Sequence, residues 1–378
     1  MTTIPPEWAP HKAIWTAWPS AADLWGEDLE PARMEVAAMI RALHDGGKGD
    51  RVRVLAHGRE AEASAKLAVG TSAEIVPGGF GDIWFRDTGP IFTRDGDAVG
   101  FRFNGWGGKY QLPHDGEVAD QVARAAGVAL KRHDFILEGG AIEMDGEGAL
   151  LTTRQCLLNP NRNEGWNERE AEDNLRRALG VEKVLWLDEG LANDHTDGHI
   201  DNLARFVAPG KVVCQSPANR DDPNHDVLEE IALSLGAMRD AKGRKLEVIR
   251  IPSVGLLEDE DGDPVPASHM NFLIGNSTVV VPIYSGSGDD AVVVAVGGEC
   301  RVDVSAAQLL EGVALHVAVA TKHGTDSSLD NGYAPWLDHG LLGPRYQRSG
   351  SRPGSRRSSI TVRRVSRSSS KCCHSRVR

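Results

Sequence analysis

The chain has 378 residues, 40% hydrophobic and 25% charged, too long for a small disulfide-stapled domain and ordinary for a soluble globular protein. No apolar run approaches the ~18–20 residues of a membrane span, and residues 1–19 lack a basic flank ahead of an apolar stretch, so a cytoplasmic protein is expected rather than a membrane or secreted one. The net charge of −12 is uneven: residues 345–378 hold ten Arg, one Lys and no acid, leaving 31 basic against 54 acidic groups (−23) on a body expected to repel nucleic acid and attract cations.

In chain order, residues 30–47 carry apolar side chains at helical spacing and stop at Gly46-Gly47. A short strand at 51–57, a helical stretch at 61–70 and a strand entering a turn at 73–78 follow. Residues 82–93 and 97–110 come next, and 127–153 hold strands separated by Gly-rich turns. Residues 167–180 are helical, and 183–190, 202–215, 227–238, 245–252 and 271–284 continue the alternation. The pattern is repeated α/β with short strands and hairpin turns; no sequence repeat is visible, although diverged structural repeats are compatible with it.

After Tyr284 the texture changes. Residues 285–344 keep apolar runs with less regular punctuation, and 345–378 mix ten Ser with the Arg residues. Such a tail cannot bury enough apolar area to offset its ordering entropy. The expected organisation is one domain over 1–344, aberrant from 285, and a disordered basic tail over 345–378. An RNA-binding tail is one reading; coding sequence read out of frame, which yields Arg, Ser, Gly and Pro from GC-rich DNA, is the preferred one. Cys156, Cys214, Cys300, Cys372 and Cys373 form no CxxC pair, so reduced thiols are expected rather than a disulfide framework or a structural zinc.

Three segments are dense in chemistry. In Asp82–Pro90 an Arg lies between two Asp in an aromatic-rich strand, expensive to bury unless the charges pair. It reads either as an edge strand with Arg86 bridging carboxylates or as a carboxylate, Asp87, held at a strand end for a cationic ligand. Leu137-Glu138-Gly139-Gly140 reads by itself as an ordinary turn, Gly permitting close backbone approach or positive φ. Asn193–Asn202 holds two His-x-Asp triplets, His195/Asp197 and His199/Asp201. In a strand, residues i and i+2 share a face, which would project His199 and Asp201 together. A His beside a carboxylate can act as general acid and base; the four residues could instead ligate a metal, or line a solvated acidic loop. Convergent carboxylates, with Trp15, Trp18, Trp84 and Trp106 as candidate walls, suit a planar guanidinium.

WTAWP (15–19), DIWFRDTGP (82–90), FNGWGGKY (103–110), LEGGAIEMDGEGALLTT (137–153), NPNRN (159–163) and DGHIDNLARFV (197–207) together resemble agmatine deiminases and their bacterial peptidyl-arginine-deiminase-type relatives, over about residues 5–284. The resemblance implies the five-bladed α/β propeller of the guanidine-modifying superfamily (the pentein fold), with ββαβ-like modules around a central active site. It assigns Asp87 and Asp201 to the guanidinium, His199 to acid/base work, and Trp84 and Glu138 to substrate contact, with His195 and Asp197 behind these or toward the distal end of the substrate. The implied reaction converts agmatine and water to N-carbamoylputrescine and ammonia, in putrescine and polyamine metabolism, through attack of a Cys thiolate on the guanidinium carbon. No metal or organic cofactor is implied, and homo-oligomerisation is left open. Arginine or peptidyl-arginine is the alternative substrate.

The chain departs from the family at its end. The family's Cys motif, resembling GGG-x-x-HC-x-TQQ, is missing. Cys300, in GGECRVD, has Gly-Gly before it but neither the His nor the Thr-Gln-Gln. Cys156 falls where the family has a strand residue, Cys214 reads as a core thiol, and Cys372 and Cys373 lie in the tail. The missing nucleophile makes a guanidinium-binding protein without turnover, inactive as an enzyme, the literal expectation for the chain as written; a metallohydrolase built on His195, Asp197, His199 and Asp201 also stays open.

Overall fold

The structure is a computed structural model that describes residues 3–259, 261–282 and 284, and the backbone of two further strands, His316–Ala320 and Val362–Arg363. The assignments of residues 285–344 as aberrant and 345–378 as a basic tail therefore lie outside the described residues, apart from those two strands, as do Cys300, Cys372 and Cys373.

Among the described residues there are five small sheets, four of three strands and one of four. In the first, β1 (Ile14–Ala17), β2 (Val52–Ala56) and β3 (Ala73–Pro77) are parallel, with Ile14 opposite Val52 and Val52 opposite Ala73. Parallel neighbours need a crossover, and the helices Leu29–His44 and Arg59–Val69 supply it. The first of these buries Val36, Met39, Ile40 and Leu43 on one face, the helical spacing visible in the sequence.

The next three units each pair two strands antiparallel and then return through a helix to a parallel third. β4 (Ile91–Phe92) pairs with β5 (Ala98–Arg102), and Val118–Ala126 leads to β6 (Leu130–Ile136). β7 (Glu143–Met144) pairs with β8 (Ala149–Thr153), and Glu168–Leu179, opened by an Asn167–Glu170 capping box, leads to β9 (Lys183–Leu187). β10 (Ala204–Ala208) pairs with β11 (Lys211–Ser216), and His225–Ala237 leads to β12 (Glu247–Pro252). In the fifth sheet β13 (Leu273–Ile274) pairs antiparallel with β14 (Thr278–Val280), which runs parallel to β15 (His316–Ala320), itself paired with β16 (Val362–Arg363).

The fifth sheet meets the first unit. β14 packs on the helix Leu29–His44. The Asn276 backbone N–H and side-chain amide donate to Asp50 at 2.7 and 2.8 Å, and its Oδ1 accepts the His11 N–H at 2.8 Å. The five sheets among the described residues, and the contact of the fifth with the first unit, fit the α/β propeller that the resemblance implies. The strands and helices bury separate apolar cores: Val36, Ile40, Val54 and Trp18 in the first, Leu150, Leu175 and Phe101 in the second, Leu151, Phe206 and Leu228 in the third.

Candidate active site

Loops that follow the carboxyl ends of β3, β6, β8 and β9 carry the polar residues. The first corrects a sequence expectation: Phe85–Thr88 is a single helical turn, not a strand. Aromatic content suggested a strand, but the Asp87 and Thr88 backbone N–H groups close back on the Trp84 carbonyl at 3.0 and 3.1 Å. The turn presents a buried Asp87, whose Oδ1 accepts the Gly140 N–H at 2.8 Å and whose Oδ2 accepts the Trp106 indole N–H at 2.9 Å. Donors on both oxygens fix the plane of the carboxylate.

His199 and Asp201 converge on Asp87, but not through a strand. Ile200–Asn202 is a 3₁₀ turn with His199 at its N-cap. His199 Nδ1 lies 3.8 Å from Asp87 Oδ1 and 4.0 Å from Asp201 Oδ1, with both side chains essentially inaccessible. The loop ahead of it is shaped by Asp194, whose carboxylate accepts the Thr196 N–H and hydroxyl at 2.8 and 2.6 Å and the His199 N–H at 3.2 Å. The loop also passes Asn193, Asp197 and Gly198 through positive φ, 58°, 63° and 86°. His199 and Asp201 are neighbours as expected, but through a 3₁₀ turn and not through the two-residue period of a strand.

Gly139 and Gly140 are explained by space. A Cβ at Gly139 would lie 1.9 Å from the Arg86 carbonyl oxygen. One at Gly140 would meet His199 Nδ1 at 2.6 Å, Asp201 Oδ2 at 2.7 Å and Asp87 Oδ1 at 2.8 Å. The Leu137–Gly140 stretch is therefore more than an ordinary turn: its missing side chains let the backbone pass where three polar groups converge. Neither glycine is among the positive-φ residues, so conformational freedom is not the reason.

Glu138 is wholly buried. Its Oε1 accepts Arg162 Nε at 2.9 Å, while its Oε2 accepts no hydrogen bond among the described residues. Burial raises its pKa, Arg162 opposes this, and Asp87 adds to it. Arg162, from NPNRN, is the residue that sequence reasoning missed. Its guanidinium also donates to the Thr196 carbonyl at 2.8 Å, to Asn161 Oδ1 at 2.9 Å and to Asp197 Oδ2. One buried cation thus ties the Glu138 loop to the loop that carries His199. An Arg between two Asn was visible in the sequence, but only its neighbours in space give it a role.

Asp197 is held by Arg162, by Lys109 Nζ at 2.6 Å and by Asn161 Nδ2 at 3.0 Å. Those donors keep its pKa below the ordinary value against the effect of burial. His195 stacks on Tyr110, ring centroids 5.9 Å apart, with its Nδ1 hydrogen-bonded to the Tyr110 hydroxyl. The metallohydrolase alternative loses its ligand set here, because Asp197 is committed to two cations and an amide. The one grouping with metal-ligand geometry among the described residues is Glu138, Cys156 and His199, whose ligand atoms lie within 4.8 Å of one another.

Cys156 is a second correction. It sits in the helical turn Arg154–Leu157 that follows β8, not in a strand, with its N–H on Thr153 Oγ1 at 3.2 Å. Although its sulfur is close to His199 and Glu138, burial and then Glu138 push the thiol well above its ordinary pKa. A protonated, buried thiol is a poor nucleophile. Cys214 lies in β11, pushed up to about 12 by burial, as its reading as a core thiol requires.

Of the candidate aromatic walls, Trp106 reaches the site through Asp87. Trp84 is buried, with its indole N–H on Asp82 Oδ2 at 2.7 Å. Trp18 is a fully buried core residue, and Trp15 carries the Arg53 guanidinium 4.3 Å from its ring centroid. Those two side chains belong to the packing of the first unit. Arg86 pairs with Glu7 at 2.8 Å and approaches Asp201 at 3.8 Å; it does bridge carboxylates, but not its two sequence neighbours.

The arrangement gathers two buried carboxylates and an imidazole around one point, with a buried Glu beside the imidazole. Such a set can hold a flat cation and move protons to or from it. Residues 3–309 match the family model described as Porphyromonas-type peptidyl-arginine deiminase. The chain is 38% identical over 314 residues to the agmatine deiminase of Pseudomonas aeruginosa, covering 76% of this chain and 84% of that protein. Its fold is similar to that of the Enterococcus faecalis agmatine deiminase (TM-score 0.69, 30% identity, 75% and 84% of the two chains). It is also similar to a Cys-to-Ser variant of the C. jejuni agmatine deiminase with substrate bound (TM-score 0.64, 27% identity, 75% and 84%). The chain belongs to the Porphyromonas-type peptidyl-arginine deiminase family, enzymes that act on guanidino C–N bonds.

Proposed function

We propose that this chain is an agmatine deiminase, hydrolysing agmatine to N-carbamoylputrescine and ammonia in the cytoplasm, as a step toward putrescine. The observation that carries the reading is the convergence of Asp87 Oδ1, Asp201 Oδ2 and His199 Nδ1 within 2.6–2.8 Å of the position a Gly140 Cβ would take. Two carboxylates on separate loops clamp the guanidinium; Asp87 is oriented for this by Gly140 and Trp106. The guanidinium is resonance-stabilised and a poor electrophile, so a covalent route through a thiolate divides the difficult step. On that route a cysteine thiolate other than Cys156 or Cys214 adds to the guanidinium carbon, ammonia leaves with a proton from His199, and water then displaces the thiolate, giving its proton to the imidazole. Glu138, next to His199, and Arg162 behind it steady that exchange.

The described cysteines do not supply the sulfur in this reading: Cys156 is a protonated buried thiol and Cys214 a core one. Cys300 lies outside the described residues. Agmatine is favoured over arginine by the acidic body, whose 344 residues carry −23, and by the relatives named agmatine deiminase. His195 and Asp197 shape the distal side, where Asp197 is neutralised by Lys109 and Arg162. No helix among the described residues is long and apolar enough to cross a membrane.

Titrating the full-length protein with agmatine and with arginine by calorimetry, and assaying ureido product in the same samples, tests the reading. Saturable agmatine binding with ureido product supports it in full. Binding without product leaves a guanidinium-binding protein and removes the enzymatic claim. No binding to either ligand sinks the site.

A further inference from the structure

We propose that Glu7 is a positioning residue that holds the chain's own guanidinium, Arg86, off Asp201, so that the Asp201 carboxylate is presented to the substrate. The inference rests on the guanidinium-binding reading of the Asp87–Asp201 site.

A site that grips guanidinium with carboxylates has to contend with the arginines built beside it. Arg86 immediately precedes Asp87, and its Nε lies 3.8 Å from Asp201 Oδ2. That is near enough for strong attraction and too long for a hydrogen bond. The guanidinium turns instead to Glu7, donating from Nη2 to Oε2 at 2.8 Å. After Glu7, Asp201 pulls on Arg86 more strongly than Glu143 does. Arg86 keeps its charge at any working pH, so what separates it from Asp201 has to be geometric.

Glu7 is well anchored for that purpose. Its Oε1 accepts the Ile274 N–H at 2.9 Å, and its Oε2 also accepts Arg205 Nη2. Arg205 is fully buried and is fixed by Glu143 Oε2 at 2.8 Å and by the carbonyls of Met270 and Phe272 at 3.1 and 2.8 Å. Burial alone would raise the Glu7 pKa, but the Arg205 and Arg86 guanidiniums outweigh it and keep the carboxyl below its ordinary value. A charged, anchored acceptor from the first residues of the chain thus holds the Nη2 end of Arg86 by a hydrogen bond while its Nε stays 3.8 Å from Asp201. With that charge gone, Asp201 becomes the strongest remaining partner, and an internal guanidinium closes on the carboxylate that the substrate needs.

The test is calorimetric titration of agmatine into the full chain at low salt, using wild type, Glu7→Gln, Arg86→Gln and the double variant. Glu7→Gln keeps the size and an acceptor oxygen while removing the charge. It is expected to bind agmatine about 10- to 100-fold more weakly, the lower end of the range for losing a close charge pair at a binding site. Arg86→Gln is expected to bind at least as tightly as wild type, and the double variant to match Arg86→Gln rather than Glu7→Gln. Wild-type affinity in Glu7→Gln overturns the proposal, as does a double variant that stays as weak as Glu7→Gln, which would make Glu7 merely structural. Should Glu7→Gln fail to fold, Arg86→Gln decides alone, since weaker agmatine binding there overturns the proposal. Wild-type protein that binds no agmatine overturns this inference together with the reading of the site, whereas wild-type binding with an unaffected Glu7→Gln overturns this inference only.

Discussion

The backbone N–H of Gly140 donates to Asp87 Oδ1 at 2.8 Å, and the hydrogen that stands in place of a Gly140 side chain faces Asp87, His199 and Asp201 at once. A glycine therefore both orients a carboxylate and leaves the space between that carboxylate, His199 and Asp201. Gly140→Ala is expected to abolish measurable agmatine binding, a loss of about 100-fold or more, because a methyl group 2.6–2.8 Å from three buried polar atoms must displace them. Calorimetry, with circular dichroism to check the fold, is the measurement; affinity within a few-fold of wild type would mean that the three groups do not converge as described.

Asp87→Ala, His199→Ala and Asp201→Ala separate binding from proton transfer. The two carboxylate variants are expected to lose agmatine affinity, each by about 2–4 kcal/mol for a buried charge-assisted partner. His199→Ala is expected to retain binding better than either, while deimination falls by about 10²-fold or more. Cys156→Ser is expected to leave agmatine binding near wild type, because the thiol is protonated and packed rather than reactive. Steady-state assay of ureido product beside calorimetry distinguishes these outcomes, and near-normal turnover in any of the first three removes that residue from the mechanism.

Arg162 serves two acids and two oxygens from one buried guanidinium. Replacing it by Met leaves Glu138 without its cation in a fully buried position. The expected loss is about 3–5 kcal/mol of stability, the range for breaking a buried ion pair by removing one partner. Arg162→Lys is expected to recover only part of it, since an ammonium cannot span the same acceptors. Urea denaturation of the three proteins measures this; an Arg162→Met protein as stable as wild type would show that the cation is dispensable.

Asp82 and Asp115 form an acidic pair beneath Trp84, with Asp115 Oδ1 accepting the Gly81 and Asp82 N–H groups at 2.8 and 3.3 Å. Burial pushes Asp115 up to about 6 and Asp82, helped by Asp115, to about 7. Both values lie above those of the unfolded chain, so between about pH 4 and 7 the folded protein holds more protons and these two groups make stability fall as pH rises. Asp115→Asn removes one of the charges. It is expected to raise the melting temperature more at pH 8 than at pH 5, by about 1–3 kcal/mol in stability at the higher pH. Equal effects at the two pH values would show that Asp115 is not held protonated by burial.

The alternation of short strands and helices was legible because apolar spacing is a local property: Val36, Met39, Ile40 and Leu43 mark a helix wherever they are packed. Asp87, His199 and Asp201 were likewise legible as charged residues in motifs too polar for a core. Their local conformation was not. The aromatic run Trp84-Phe85 suggested a strand, yet the chain forms a helical turn there because the Trp84 carbonyl has the Asp87 and Thr88 N–H groups as partners. The roles of Gly140, Arg162 and Glu7 were invisible for a different reason. Arg86 is 79 residues from Glu7, Asp87 is 53 from Gly140, and Arg205 is 198 from Glu7. Sequence determined which elements form and which charges need partners; only the tertiary packing of the sheets decided who those partners are, because buried charges pair by distance in space, and that distance is set by how separate loops are brought together.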